Sequence, residues 1–251
     1  MRSLGAAGAA TVVSLFLLLI QPQAHAAQLR VWTARVGATV LEQIGPEFER
    51  ATGHELEVSS GLPGPFLERA RAGESFDLLI STAGPVDALI AEGKLVQETR
   101  FRFARSGIGL AVRKGAHKPD ISSVAAFRHA VLAAKSVGYL RVGSGLYLHD
   151  LFQRLGIAES IASKLTRPET DTVSELVAAG KLELGMVVST QILTTPGVDF
   201  VGPLPEEIQH YVEFVGALSA SSQTPDAARE LVKFLRSSRA LAVMQAQGME
   251  P

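Results

Sequence analysis

The sequence predicts an α/β fold in which mixed, mostly parallel sheets are flanked by helices. From residue 29 onward, a short apolar run, a loop of small polar residues and an amphipathic segment follow one another three times, and the same order recurs in the middle of the chain. Such alternation is typical of parallel strands joined by helices. A chain of 251 residues is long enough for two lobes of about 100 residues each, or for one large domain.

The first of these units sets the pattern for the others. Residues 29–39 are predicted to form a buried strand and a tight turn, and residues 40–53 a helix that ends at Gly53. The apolar residues at helical spacing are Val40, Leu41, Ile44 and Phe48. Pro46 lies within this helix, so a kink or a break after Gly45 is expected.

The turn between the first strand and its helix is a candidate anion site. The first N–H groups of a helix have no partner within the helix and carry a partial positive charge. Arg35 adds a full positive charge at the same turn. We therefore expect this turn to hold a small anion.

Two similar units follow directly. Residues 55–58 are predicted as a strand, and the glycine- and proline-rich residues 59–65 as a loop leading into a helix that begins at Pro65. Residues 77–81 are predicted as the next strand, with a helix starting within residues 82–85. Each loop thus lies at the carboxyl end of its strand.

The rest of the chain continues the same architecture. The predicted strands cover residues 107–113, 136–139, 184–188 and 211–218. The predicted helix starts are Ser122 or Ser123, residues 141–145, Thr170 or Asp171, and Thr224 followed by Pro225. The helix that opens at residues 141–145 is expected to stop at Gly156.

Residues 1–26 have the composition of a cleaved secretory signal peptide. Arg2 supplies the positive end, residues 9–20 the apolar stretch, and Ala24-His25-Ala26 the cleavage site. A membrane anchor is the alternative, but a spanning helix needs about 20 apolar residues. The sequence contains no cysteine, which excludes a lipid anchor at the cleavage site and any thiol chemistry. The protein is therefore expected in the periplasm.

Composition and motifs argue against most other functional classes. The formal net charge of −1 gives no sign of binding to nucleic acid or to an anionic membrane. The sequence has no HExxH motif, no Walker lysine loop, no GxSxG and no complete GxGxxG, and its histidines are scattered without ligand spacing. We therefore expect no metal, no cofactor and no catalytic residue if the protein only binds its ligand.

Small hydroxyl or glycine residues follow many of the predicted strands. These stretches are residues 33–37, 59–64, 81–82, 143–145 and 189–190. One interpretation is structural, because strand-to-helix turns commonly need glycine and capping residues. The other is functional, because open α/β sheets bind ligands outside the carboxyl ends of their strands. Two such edges facing each other would form a cleft suited to a small anion.

Several stretches resemble the molybdate-binding family of periplasmic solute-binding proteins, which serve ABC importers. They are FERATG at residues 48–53, AGESFDLLIS at 72–81, GKLELG at 180–185, PDAAR at 225–229 and QGMEP at 247–251. The resemblance implies a type II periplasmic-binding-protein fold, in which two α/β lobes close on a ligand. The implied divisions are a signal peptide (1–26), a first part of lobe 1 (27–106), lobe 2 (107–213) and a return to lobe 1 (214–251). A monomer that delivers its ligand to an ABC-type permease is expected.

The resemblance also indicates which residues would line the cleft. The family typically has serines in its first two turns and a tyrosine after a late strand, and here these positions fall on Val36, near Gly64 and on Val188. Because Arg35 stands beside Val36, an organic carboxylate is expected rather than molybdate, with Arg141 either as a second cation or as a solvated loop charge. The predicted ligand-binding residues are Thr33, Ala34, Arg35, Val36, Ser60, Gly61, Gly64, Ser81, Arg141, Ser144, Gly145, Tyr147, Thr170, Val188 and Ser189.

Two functions follow from this resemblance. The first is a periplasmic solute-binding protein that captures a small organic anion for ABC-type import. The alternative is an isomerase of a tricarboxylate, because residues 118–122 and 144–148 are similar to stretches in a branch that resembles periplasmic aconitate isomerases. Such an enzyme needs a base that takes a proton beside a carboxylate, and the candidates are Tyr147, His149 and His210.

Overall fold

The computed structural model describes residues 26–170 and 172–251. The predicted signal peptide lies outside these residues apart from Ala26, and so does Asp171, one of the two predicted caps of a helix. Within the described residues, every helix is too short or too polar to cross a membrane.

Strands and helices alternate along the chain. The strands are β1 (Gln28–Thr33), β2 (Glu55–Ser60), β3 (Leu78–Thr82), β4 (Phe101–Arg113), β5 (Val137–Tyr139), β6 (Leu165–Thr166), β7 (Leu184–Val188), β8 (Val198–Pro203) and β9 (Tyr211–Leu218). The helices are α1 (Arg35–Thr52), α2 (Pro63–Arg71), α3 (Ala83–Ala91), α4 (Val124–Ala133), α5 (Ser144–Arg154), α6 (Ala158–Ile161), α7 (Val173–Ala178), α8 (Ser189–Thr194), α9 (Pro225–Phe234) and α10 (Ser238–Ala246). Single 3-10 turns cover Gln97–Thr99, Ala162–Lys164 and Glu206–Ile208. The predicted α/β class is confirmed.

The strands form one nine-stranded mixed sheet in the order β2-β1-β3-β9-β4-β7-β5-β6, with β8 paired to β4. β1 runs parallel to β2 and β3, and β5 runs parallel to β6 and β7. The long strand β4 pairs with β9 over its first half and with β7 over its second half, antiparallel in both cases. We call the half of the sheet that contains β1, β2 and β3 the first lobe, and the half that contains β5, β6 and β7 the second lobe.

Each lobe has apolar clusters of its own. In the first lobe, α1 packs Ile44 and Phe48 against β1, and α9 and α10 add Leu231 and Met244 to the same cluster. The second lobe buries a separate cluster between its strands and helices α4, α5 and α6. The last two helices of the chain therefore pack on the first lobe, while the predicted residue bounds of the lobes remain a prediction.

Several predicted element boundaries are wrong: α1 begins at Arg35 and not at residue 40, and the N-cap of α7 is Thr172 and not Thr170 or Asp171. Helix α1 continues through Pro46 without the expected break after Gly45, because its core-facing side stays buried along its length. Helix α2 begins at Pro63, not at Pro65, so the earlier of the two prolines occupies the first helical position. Strand β4 begins at Phe101, not at residue 107, because β9 pairs with it from that residue onward.

Candidate functional site

The candidate site is the region where the strand-end edges of the two lobes meet, which we call the cleft. In the first lobe the parallel strands β1, β2 and β3 lead into α1, α2 and α3, and in the second lobe β5, β6 and β7 lead into α5, α7 and α8. The starts of these helices gather at one edge of each half-sheet. An ion pair joins the Arg35 side chain, at the start of α1, to Glu175 Oε1 in the first turn of α7. The two edges therefore face each other.

The start of α1 is held tightly against the first sheet. The Ala34 backbone N–H donates to the Ile80 carbonyl over 2.7 Å, which places the end of β3 beside the first residues of α1. Gly37 allows this approach, since a Cβ atom there would lie 2.0 Å from Thr33 Oγ1.

The N–H groups at the start of α1 are not used by a side-chain cap. Its N-cap residue Ala34 has no side chain that could accept a hydrogen bond. By contrast, Ser123 and Ser237 cap α4 and α10 by accepting from the backbone N–H of the third residue beyond. The α1 N-terminus therefore has no side-chain cap and carries the partial positive charge that suits an anion, although the Gly37 N–H already donates to the Ala34 carbonyl over 2.9 Å.

The start of α5 makes a similar close approach in the second lobe. Gly143 has φ +58°, and Gly145 lies so near the end of β5 that a Cβ atom would be 1.6 Å from the Leu140 carbonyl oxygen. Ser144, between them, is buried. The predicted turn over residues 141–145 therefore requires glycine on both sides of its serine.

The structure brings most of the predicted first-lobe residues together at this edge. Thr33 is buried and donates its hydroxyl to the Ala34 carbonyl over 3.0 Å. Ser81 is buried at the end of β3. The Val36 side chain lies in the apolar cluster of the first lobe, so only its backbone can serve a ligand.

The predicted residues of β2 and its loop lie further out. Ser60 is exposed at the end of β2, and Gly64 is exposed near the start of α2. The Gly61 backbone N–H is already used, since it donates to the Thr33 carbonyl over 3.1 Å.

The predicted second-lobe residues differ from one another in exposure and in their contacts. Arg141 has a side chain that is 59% exposed and pairs with Glu169 over 3.5 Å, which is the arrangement of a solvated loop charge. Val188 is buried in the apolar cluster of the first lobe, and Ser189 donates its hydroxyl to the Gly107 carbonyl over 2.9 Å. Thr170 is exposed on the loop before α7.

The three candidate bases are engaged in other contacts. The Tyr147 hydroxyl donates to the Ile208 carbonyl over 2.9 Å, and its ring stacks on His210 at 4.4 Å between centroids. Burial lowers the pKa of His210 below its usual value. His149 Nδ1 lies 3.5 Å from both the Tyr139 hydroxyl and an Arg167 guanidinium nitrogen.

Three polar residues of the second lobe lie near the cleft without being predicted from the sequence. Ser174 and Glu175 lie in the first turn of α7, and Arg167 follows β6 with its guanidinium 5.3 Å from the Tyr139 ring centroid. Burial raises the pKa of Tyr139, and the positive charge of Arg167 partly offsets that rise. The sequence predicts the start of this helix, but nothing local marks Glu175 as the partner of Arg35.

Other features of the surface lie away from the cleft. A pocket of about 520 Å³ on the second lobe is lined by α4 together with the ends of β4 and the strand β7. A second pocket, of about 320 Å³, lies between α1 and β2. Within the described ranges 26–170 and 172–251, no three acidic or histidine side chains are placed to hold a metal ion.

Comparison with known proteins agrees with this architecture. A sequence profile described as "Bacterial extracellular solute-binding protein" matches residues 29–250. An aconitate isomerase from Pseudomonas sp. is 31% identical over 252 aligned positions, which cover 98% of this chain and 95% of that protein. The molybdate-binding protein ModA of Azotobacter vinelandii is 28% identical and covers 94% of this chain and 95% of its own length.

The solved structures agree on the fold. The periplasmic molybdate-binding protein of Azotobacter vinelandii superposes with a TM-score of 0.76 at 20% identity, covering 89% of this chain and 99% of that one. Since the identity is low, this likeness concerns the fold alone.

Proposed function

Because this chain belongs to the family of bacterial extracellular solute-binding proteins, we propose that it captures a small organic carboxylate in the cleft between its lobes. The proposal places the protein in the periplasm, where it delivers the ligand to an ABC-type permease. A structural relative is described as the substrate-binding domain of a putative molybdenum ABC transporter, which supports this kind of partner.

The observation that carries the proposal is the position of Arg35. Its guanidinium lies at the N-terminus of α1 and bonds to a carboxylate, that of Glu175, across the cleft. Guanidinium groups bind carboxylates through two parallel N–H donors, and a helix N-terminus adds further donors and positive potential. A ligand carboxylate at this place would meet the same chemistry.

The side chains near Arg35 support a carboxylate over molybdate. Val36 is buried in the core, where a member of the molybdate-binding family would typically present a serine. Val188 is likewise buried where the family typically has a tyrosine. Arg141 was predicted either as a second cation or as a solvated loop charge, and its pairing with Glu169 supports Arg35 as the main cation of the proposed site.

The test is isothermal titration calorimetry of residues 27–251 with succinate, tricarballylate, trans-aconitate and molybdate. We expect at least one carboxylate to bind, and Arg35→Ala to weaken that binding at least tenfold, about 1.4 kcal/mol. Arg141→Ala is the matched control and should change the affinity less than about twofold, since rim charges contribute little. Binding of molybdate with no carboxylate binding would refute the proposal.

A second candidate function is isomerisation of a tricarboxylate. The specific observation in its favour is the 31% identity to an aconitate isomerase over almost the whole chain. Moving a carbon–carbon double bond needs a base that takes a proton next to a carboxylate and returns it to another carbon. Tyr147 and His210 are stacked on each other, whereas Glu175 presents a carboxylate at the cleft itself.

Proton NMR separates the two functions. If the protein only binds, cis- and trans-aconitate keep their ratio during incubation with micromolar protein. A change of that ratio, absent with Arg35→Ala, would assign the isomerase function instead.

A further inference from the structure

Three buried polar atoms at the cleft have no hydrogen-bond partner among the residues that the structure describes. They are Ser81 Oγ at the end of β3, and Ser174 Oγ and Glu175 Oε2 in the first turn of α7. Ser81 is 1% exposed and Ser174 3% exposed. Buried polar atoms of native proteins nearly always have a partner, so each of these atoms is available to bond a ligand group.

The contacts around these atoms place them at the same part of the cleft. Ser81 directly follows Ile80, whose carbonyl accepts from the Ala34 N–H, and so lies beside the start of α1. Arg35, the first residue of α1, bonds to Glu175 Oε1. Ser174 is the neighbour of Glu175 in the same turn. The site therefore combines two hydroxyls, a guanidinium, a helix N-terminus and one carboxylate oxygen.

These groups require two different kinds of ligand atom. The serine hydroxyls, the guanidinium and the helix N-terminus can donate to carboxylate oxygens. An ionised glutamate only accepts, so Glu175 Oε2 requires a donor from the ligand. A ligand made only of carboxylates would leave it unpaired and would place negative charge against it.

The donor is better supplied by a hydroxyl than by an ammonium group. The charge of Glu175 is already balanced by Arg35, and a second cation beside the guanidinium would be repelled. On this basis, and resting on the proposed function, we infer that the ligand is a small hydroxycarboxylate whose hydroxyl donates to Glu175 Oε2.

The experiment uses two pairs of acids that differ by one hydroxyl: malate with succinate, and citrate with tricarballylate. Calorimetry on residues 27–251 should give a dissociation constant at least about tenfold lower for the hydroxy acid of one pair, because sites built to bond a hydroxyl reject analogues that lack it. Glu175→Ala should bring that ratio close to one.

Two further variants separate the roles of the neighbouring groups. Glu169→Ala also removes a carboxylate paired with an arginine, and it should leave the ratio unchanged. Ser81→Ala should weaken both acids of a pair by a similar factor, since its hydroxyl serves the carboxylate that they share. Circular dichroism of each variant establishes that it is folded before the ratios are compared.

The outcomes distinguish this inference from the function on which it rests. Equal affinities within both pairs, or tighter binding of trans-aconitate than of citrate, would overturn the hydroxyl contact while leaving a carboxylate-binding protein. A preference for the hydroxy acid that persists in Glu175→Ala would also overturn it. If none of these acids binds, both the inference and the proposed function are wrong.

Discussion

One buried residue, Asp77, connects segments of the first lobe at the end of the sheet opposite the cleft. The Asp77 carboxylate is 2% exposed and lies just before β3. Its Oδ2 accepts from the Arg30 backbone N–H over 2.8 Å, and its Oδ1 accepts from the hydroxyls of Ser222 and Thr224 over 2.7 and 3.1 Å. One side chain thus ties β1 to the segment that starts α9.

Asp77→Asn should destabilise the protein strongly without changing its ligand affinity. The amide nitrogen of asparagine cannot accept, so at least one buried donor of this network would lose its partner. We expect the free energy of unfolding to fall by about 2–3 kcal/mol, which is typical for a buried donor left unsatisfied beside a lost charged acceptor. Urea unfolding followed by circular dichroism measures the change.

The same substitution at the exposed Asp150 is the control for Asp77→Asn. Asp150→Asn changes an exposed carboxylate on α5, and its effect should stay within about 0.5 kcal/mol. Equal unfolding midpoints for the two variants would show that the Asp77 network contributes little.

At the scale of elements, glycines decide how closely helices approach the strands before them. Gly145 in the first turn of α5 meets the Leu140 carbonyl, and Gly64 near the start of α2 has no atom within 4 Å of its Cβ position. The two glycines occupy similar places, each in the first turn of a helix that follows a strand. Packing therefore requires glycine at position 145 but not at position 64.

Gly145→Ala and Gly64→Ala should therefore have opposite effects. A Cβ 1.6 Å from a backbone oxygen cannot be accommodated by rotating a side chain, so α5 must shift, and we expect a loss of at least about 2 kcal/mol. Gly64→Ala should be neutral or stabilising by up to about 1 kcal/mol, because alanine is the better helix former. Thermal unfolding of both variants measures these effects, and equal melting temperatures would contradict the packing argument.

Local sequence patterns predicted most of the elements but not β6, β8, α6, α8 or α10, and they predicted the ends of elements less well. The predicted strands over residues 184–188 and 211–218 agree with β7 and β9 in both bounds, because each is an uninterrupted apolar or alternating run between polar loops. Helix α1 overrides the penalty of Pro46 since Ile44 and Phe48 remain packed in the core, and such packing is outside the reach of local propensity. The start of β4 depends on pairing with β9, which lies far along the chain.

Only the first-lobe half of the candidate site could be predicted from local sequence motifs. Arg35 and the small residues around it stand directly after β1, so the strand-to-helix turn identified them. Glu175 has no such mark, because its position at the cleft results from the folding of α7 against the second sheet. Its pairing with Arg35 is a property of the assembled lobes.

Besides the packing of Val188 from β7 in the apolar cluster of the first lobe, two kinds of contact connect the lobes at the scale of the whole molecule. One is continuous backbone, since β4 and β9 pass between the halves of the sheet, and Ser106 and Thr190 are hydrogen-bonded over 3.0 Å where β4 meets α8. The other is the Arg35–Glu175 ion pair across the cleft. Because the first contact is buried and the second is partly exposed, opening of the cleft should break the ion pair before it disturbs the strands.

The Arg35–Glu175 ion pair should favour the closed arrangement of the lobes in the absence of ligand. The absence of cysteine allows two dyes to be attached at Ala51→Cys in the first lobe and Ala162→Cys in the second, both at exposed positions. In single-molecule FRET without ligand, Arg35→Ala and Glu175→Ala should each reduce the closed fraction by a similar amount, up to about fivefold in the closed-to-open ratio, since a partly exposed pair contributes about 0.2–1 kcal/mol. The double variant should open no further than either single variant, because both remove one shared contact.

Two controls test whether the effect belongs to this ion pair. Arg69→Ala breaks an ion pair within the first lobe and should leave the FRET distribution unchanged. High salt should act on the wild type like the single variants, because it screens the exposed charges. Additive opening in the double variant would mean that the two side chains hold the lobes through separate contacts.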